Sequence, residues 1–175
     1  MRVLLAGATG AIGRRVAGEL AREGRIERLV VTARSKEPAD QLASMLGGDR
    51  IVGAALDLTD QRRVAQLAGD VDVVVCAAGP HYRFEIDSAR GAIDGGAHYV
   101  SLCDDHSMTD RVAALNDAAR DAGVTVISGC GLSPGLTNLL TAFAASEMDE
   151  VEEIDIALAA SSADTPGAGT RMHFF

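Results

Sequence analysis

Tryptophan is missing from this 175-residue chain, and aromatic residues make up only 3% of it. A core must therefore be built from Ala, Val, Leu and Ile. Lysine occurs once, at Lys36, among 16 basic residues, which removes most lysine chemistry. The Tyr-x-x-x-Lys pair of short-chain dehydrogenases and sugar epimerases goes with it, since Ile86 follows Tyr82 by four positions and Cys103 follows Tyr99. Positive charge is scarce too: the formal net charge of −9 argues against nucleic acid as a partner, because a polyanion needs a basic face. An anionic cofactor held locally by backbone dipoles is not excluded. The three cysteines, Cys76, Cys103 and Cys130, form an odd set without paired spacing, as expected of free thiols in a reducing compartment. Cys103-Asp104-Asp105-His106 lacks a second pair of ligands at metal-site spacing, so no metal is expected. No apolar run approaches membrane-spanning length, and the amino terminus is expected to enter a strand at once, without a signal peptide. The expected location is the cytoplasm.

What is present begins at the amino terminus. Val3-Leu4-Leu5-Ala6 runs into Gly7-Ala8-Thr9-Gly10-Ala11-Ile12-Gly13, and an amphipathic pattern follows through Val16 and Leu20. A buried parallel strand, a tight turn and a helix start read this way. Such a start offers unpaired N–H groups and a positive dipole end, which suits a pyrophosphate. Gly7 permits the sharp turn, Gly10 lets the backbone approach phosphate, and Gly13 lets the helix lie close to the strand.

The remainder alternates in the same way. Strands are expected over Arg2 to Ala6, Arg28 to Ala33, Ile51 to Ala54, Asp72 to Ala77, His98 to Val100 and Val124 to Ser128. Helices are expected from Ala11 to Arg22, Pro38 to Leu46, Asp60 to Leu67, Phe84 to Gly95 and Met108 to Asp121, the last opened by a capping box at Ser107-Met108-Thr109-Asp110. Bare Val/Ile/Leu runs indicate strands covered on both faces. The expected class is α/β, a doubly wound parallel sheet of Rossmann type in the order 3-2-1-4-5-6, over residues 1–130. Residues 131–175 are expected to start a second, truncated domain. There Ser133 caps a helix from about Gly135 to Glu147, Pro134 takes its first position, and Val151 to Ala159 forms a strand.

The second strand ends in Val31-Thr32-Ala33-Arg34-Ser35-Lys36, with no carboxylate before Glu37. Arg34 can grip a ribose 2′-phosphate bidentately and Ser35 can donate to it, so NADP is favoured over NAD, unless this is an ordinary solvated basic loop. At the end of the third strand, Asp57 and Leu58 are placed against adenine, though Asp60 serves equally well as a helix cap. Ala77, Ala78 and Gly79 end the fourth strand and let the middle of the cofactor lie against the backbone, unless the alanines are there for packing alone. His81 and Tyr82 beyond them read as a surface loop, unless they contact substrate.

Three pieces together carry a family resemblance: the opening glycine segment, Asp72-Val73-Val74-Val75-Cys76-Ala77-Ala78-Gly79-Pro80 with His98-Tyr99-Val100, and Gly123-Val124-Thr125-Val126-Ile127 with Gly131-Leu132-Ser133-Pro134-Gly135-Leu136. Over residues 1–145 the chain resembles the NADP-binding half of the saccharopine dehydrogenase-like (saccharopine reductase-related) oxidoreductases. The resemblance implies a two-domain enzyme whose second domain completes the substrate pocket and often a dimer. It also implies hydride transfer to or from a small or lipid-like molecule.

Hydride transfer asks for a proton donor near the nicotinamide. Ser101-Leu102-Cys103-Asp104-Asp105-His106 is rich in titratable groups and falls at the carboxyl edge of the sheet. Asp105 or His106 is the candidate acid, unless both only cap and solvate the next helix; Cys130 lines the same cleft or simply packs. A non-catalytic NADP-binding sensor or partner-binding module is the alternative function.

Overall fold

The computed structural model describes residues 1–157 and 159. Six parallel strands form one sheet in the order β3-β2-β1-β4-β5-β6: β1 Arg2–Ala6, β2 Arg28–Ala33, β3 Ile51–Ala55, β4 Val73–Cys76, β5 His98–Ser101 and β6 Val126–Ile127. The expected order holds. The helices are α1 Ala11–Arg22, α2 Lys36–Leu46, α3 Gln61–Ala68, α4 His81–Asp94, a 3-10 turn His106–Met108, α5 Thr109–Ala113, α6 Asn116–Asp121 and α7 Leu136–Ala145.

Alternate residues of each strand face opposite sides of the sheet, and two cores result. Leu4, Ala6, Val30, Val74, Cys76 and Tyr99 meet Val64 of α3, Ala89 and Ala92 of α4, and Ala119 of α6. Val3, Leu5, Leu29, Val31 and Ile51 meet Ala17 of α1 and Leu42 of α2. Each fully buried Leu or Val stabilises the fold by roughly 1.5–3 kcal/mol. With so few aromatics, close approach replaces bulk. A Cβ on Gly91 would come within 2.5 Å of Val64, so that glycine lets α3 and α4 touch.

Four expectations fail locally. The helix expected over 108–121 is broken into three pieces. Asp105 caps the first piece, its Oδ1 accepting from the Ser107 amide at 3.0 Å and hydroxyl at 2.6 Å, so Ser107 is capped rather than capping. At the second break Leu115 N donates to Val112 O, and this tightened turn brings Leu115 and Ala119 into the core. Ser133 and Pro134 do not open α7. Gly135 does, at φ +130, with Asn138 Oδ1 accepting from its amide at 3.0 Å. A Cβ there would collide with the Gly131 carbonyl, so only glycine allows the close Gly131–Gly135 bridge.

The helix expected from Phe84 starts at His81, so His81 and Tyr82 are its first turn and not a loop. Finally, residues 151–157 form no strand, and Leu158 lies outside the described residues. The apolar alternation is real, but Val151, Ile154 and Ile156 stand exposed, and a strand exists only where a neighbour completes its ladder.

Candidate functional site

β1 and β4 are adjacent, and the chain leaves them in opposite directions along the sheet, so a crevice opens beyond their carboxyl ends. The glycine turn lies there. Gly7 takes φ +75, and a Cβ on it would approach Ala78 to 2.8 Å. Gly10 N donates to Gly7 O at 3.0 Å, closing the turn, and a Cβ on Gly13 would strike that same carbonyl. Gly10 differs: its added Cβ would meet only Gly7 O, at 3.3 Å. Gly10 is the cap of α1 and offers no side-chain hydrogen bond, nor is there an acidic residue in the first turn. The amides of Ala11, Ile12 and Gly13 therefore remain donors at a positive helix end, a donor set that fits an anion. Thr9 is half-buried and its carbonyl is taken by Arg14 Nε at 3.0 Å.

Farther along the same edge, Arg34 and Ser35 are exposed, and Ser35 precedes α2 without using its hydroxyl as a cap. Lys36 is engaged elsewhere, bonding both carboxylate oxygens of Asp40. Asp57 Oδ1 accepts from the Thr59 amide and hydroxyl, which holds its carboxyl below the usual range, with Arg83 and Arg34 adding electrostatic pull. Asp60 caps α3 through the Arg63 amide. The Leu58 side chain is in the core, so only its backbone can face a ligand. Ala77 and Ala78 are half-buried and Gly79 is exposed.

Beyond β5 and β6 lies a cleft of about 1000 Å³, whose walls include Asp105, His106, Cys130, Pro134 and Leu136. The three candidate chemical residues are thus brought into one cavity. His106 and Cys130 are exposed, whereas Asp105 spends one oxygen on the Ser107 cap. Cys103 at the cleft wall is buried, and burial pushes its thiol up to about 11.

A polar cluster that sequence reasoning missed adjoins this wall. Glu85 of α4 is fully buried; Ser101 Oγ and Ser128 Oγ donate to its Oε1 at 2.6 and 3.0 Å, and Tyr99 OH donates to its Oε2 at 3.0 Å. The signal was present: Glu85, Ser88, Ala89 and Ala92 share one helical stripe, and a carboxylate on a stripe of small core residues needs partners.

Residues 3–127 match the family model described as the saccharopine dehydrogenase NADP binding domain. The chain is 27% identical over 165 residues to carboxyaminopropylagmatine dehydrogenase of Synechocystis, covering 89% of this chain and 40% of that protein. It is 25% identical over 132 residues to a trans-acting enoyl reductase of Mycobacterium tuberculosis, covering 74% and 32% respectively. Among solved structures, the apo saccharopine dehydrogenase (L-Glu forming) of Saccharomyces cerevisiae superposes with a TM-score of 0.72 at 27% identity, over 83% of this chain and 31% of that one. The chain thus spans between about a third and two fifths of the length of these three proteins.

Proposed function

Because the chain belongs to the saccharopine dehydrogenase NADP binding domain family, we propose that it is the cofactor-holding part of an oxidoreductase that exchanges hydride between NADP(H) and a small or lipid-like molecule. The observation that carries this reading is the uncapped α1 start above a turn that only glycines can form. Gly7, Thr9, Gly10, Ala11, Ile12 and Gly13 cradle the pyrophosphate. Asp57 and Leu58 meet adenine, and Ala77, Ala78 and Gly79 support the middle of the cofactor. Arg34 and Ser35 read the 2′-phosphate and set a preference for NADP over NAD, supported by their exposure and by the absence of a carboxylate before Glu37.

When bound, NADPH supplies a hydride at the nicotinamide. The cleft beside β5 and β6 receives the substrate, where Asp105, His106 and Cys130 give polar contacts at the reacting end. The relatives named above are a carboxyaminopropylagmatine dehydrogenase and a trans-acting enoyl reductase, and the apolar and polar walls of this cleft suit a small or a lipid-like substrate. From residue 131 the chain begins a second domain that closes the cleft and supports a homodimer. Exposed Leu139 and Phe143 on α7 favour this, since large apolar faces are normally covered. The cytoplasm suits its free thiols. Among the described residues, no helix is long and apolar enough to cross a membrane.

Calorimetric titration with NADPH and NADH tests the reading. NADPH is expected to bind more tightly, and Arg34→Ala to narrow the gap. Equal affinities before mutation contradict the cofactor preference, and binding without turnover across a broad substrate panel favours a sensor.

A further inference from the structure

Glu85 is buried more completely than any other charged side chain among the described residues. Burial pushes its carboxyl up, but the facing His81 and the hydroxyls of Ser101, Ser128 and Tyr99 outweigh it and hold the group below the ordinary carboxylate range. Packing α4 on the sheet does not require this arrangement. The same stripe is filled with Ser and Ala at its other positions, and an apolar residue there is often neutral or better for stability.

One nitrogen in the cluster has no partner. His81 Nδ1 faces Glu85 Oε2 at 3.7 Å, is sealed from solvent, and makes no hydrogen bond, while the side chain as a whole keeps 12% of its exposure. A small turn of the ring would close an Nδ1–H···Oε2 bond and leave Nε2 as the nitrogen that exchanges protons. His81 follows Gly79 by two residues, on the cofactor side of the site. Cys103, which lines the cleft, has its Sγ within 4.8 Å of a His81 ring nitrogen and a Glu85 carboxylate oxygen. Ser128 also lines that cleft while bonding Glu85. The pair thus adjoins residues assigned to both halves: Gly79, two positions before His81, and Cys103 and Ser128 on the cleft wall.

We infer that His81 is the proton-transfer residue of this oxidoreductase site and that Glu85 is its positioning residue. In the reducing direction NADPH, when bound, would supply a hydride, and with it two electrons, to one atom of a substrate double bond. The other atom gains the electron pair released from that bond, and the Nε2 proton of His81 passes to it. The products are NADP⁺, the reduced substrate and a neutral imidazole that keeps its Nδ1 proton toward Glu85, and solvent returns the lost proton. Oxidation reverses each step. Asp105 and His106 are then left to orient the substrate, in keeping with the cap that Asp105 already makes.

The proton-transfer role rests on the proposed cofactor reading; the His81–Glu85 pairing does not. Long-range ¹H–¹⁵N spectroscopy of the imidazoles separates them, with His81 assigned among four histidines by a His81→Gln variant. At a pH where the ring is neutral, His81 is expected as the Nδ1–H tautomer, reverting toward Nε2–H in Glu85→Gln. An Nε2–H ring in the unmodified protein, or one indifferent to Glu85→Gln, overturns the pairing without needing any variant to be active. NADPH is then added: movement of both the Gly10 amide and the His81 ring supports proton transfer. A moved Gly10 with an unmoved His81 overturns that role alone, whereas an unmoved Gly10 overturns the cofactor reading and the role together. Cobalt(II) is the control. A thiolate-to-metal absorption band that Cys103→Ser abolishes would assign His81, Glu85 and Cys103 to a metal and overturn the inference.

Discussion

Gly7 and Ala78 are so close that a single methyl group on Gly7 would sit 2.8 Å from the Ala78 Cα and Cβ. This contact joins the turn after β1 to the end of β4, the two strands between which the crevice opens. It also separates two kinds of glycine. Gly7 and Gly13 are needed by the fold, whereas Gly10 leaves room on the side where an anion would approach.

Gly13→Ala is accordingly expected to lower thermal stability, because its Cβ strikes the Gly7 carbonyl. Gly10→Ala is expected to cost under about 1 kcal/mol of stability, within the range of cap substitutions. Its NADPH affinity should nonetheless fall by about tenfold or more, which corresponds to about 1.4 kcal/mol or more of binding free energy. Thermal melts and calorimetry on both variants check this. Equal losses of stability would remove the distinction.

For Arg34→Ala, NADPH affinity should drop by about tenfold while NADH affinity holds, since a guanidinium–phosphate contact is charge-assisted. Lys36→Ala should change the ratio less, because Lys36 is already paired with Asp40. Parallel titrations of the two variants give the comparison.

Glu85 makes stability depend on pH. Its carboxyl lies below the usual range when folded, so between the folded and unfolded values the unfolded chain binds more protons, and stability rises with pH. The contribution is complete above the ordinary glutamate value of about 4.3 and is lost as pH falls through the folded one. Melting temperatures taken from neutral pH downward should therefore fall less steeply for Glu85→Gln than for the unmodified protein. Tyr99→Phe, which removes one donor to Glu85, should cost about 1–3 kcal/mol.

On α7, Leu139 and Phe143 are each 71% exposed. Phe143→Ser should leave the melting temperature nearly unchanged, as surface substitutions do within about 0.5 kcal/mol. It should also reduce self-association in sedimentation if this face meets a second copy. A large drop in melting temperature would show that the helix already packs on the domain.

The sheet was legible because its strands are covered on both faces and read as unbroken apolar runs, such as Val73-Val74-Val75. Order and direction followed from the alternation of strand and helix. The failures share a cause: a choice made by tertiary contacts. Ser107 and Ser133 both had cap chemistry, but Asp105 and Gly135 took those places because the chain turns there to meet β5 and the Gly131 bridge. The Val151–Ile156 alternation has no neighbouring strand to join among the described residues. At the site, the glycine turn before α1 and the placing of Asp105, His106 and Cys130 beside one cleft could be read in advance. The stripe of Ser88, Ala89 and Ala92 marks Glu85 as buried, but its partners could not be named in advance, since they come from β5 and from Ser128, after β6, far along the chain.

The most direct measurement is a crystal structure of the chain grown with NADPH. The account requires the pyrophosphate oxygens to lie within about 3 Å of the Ala11, Ile12 or Gly13 amides, the ordinary N–H···O distance. Nucleotide density elsewhere on the sheet edge, with that helix start facing only water, would contradict it.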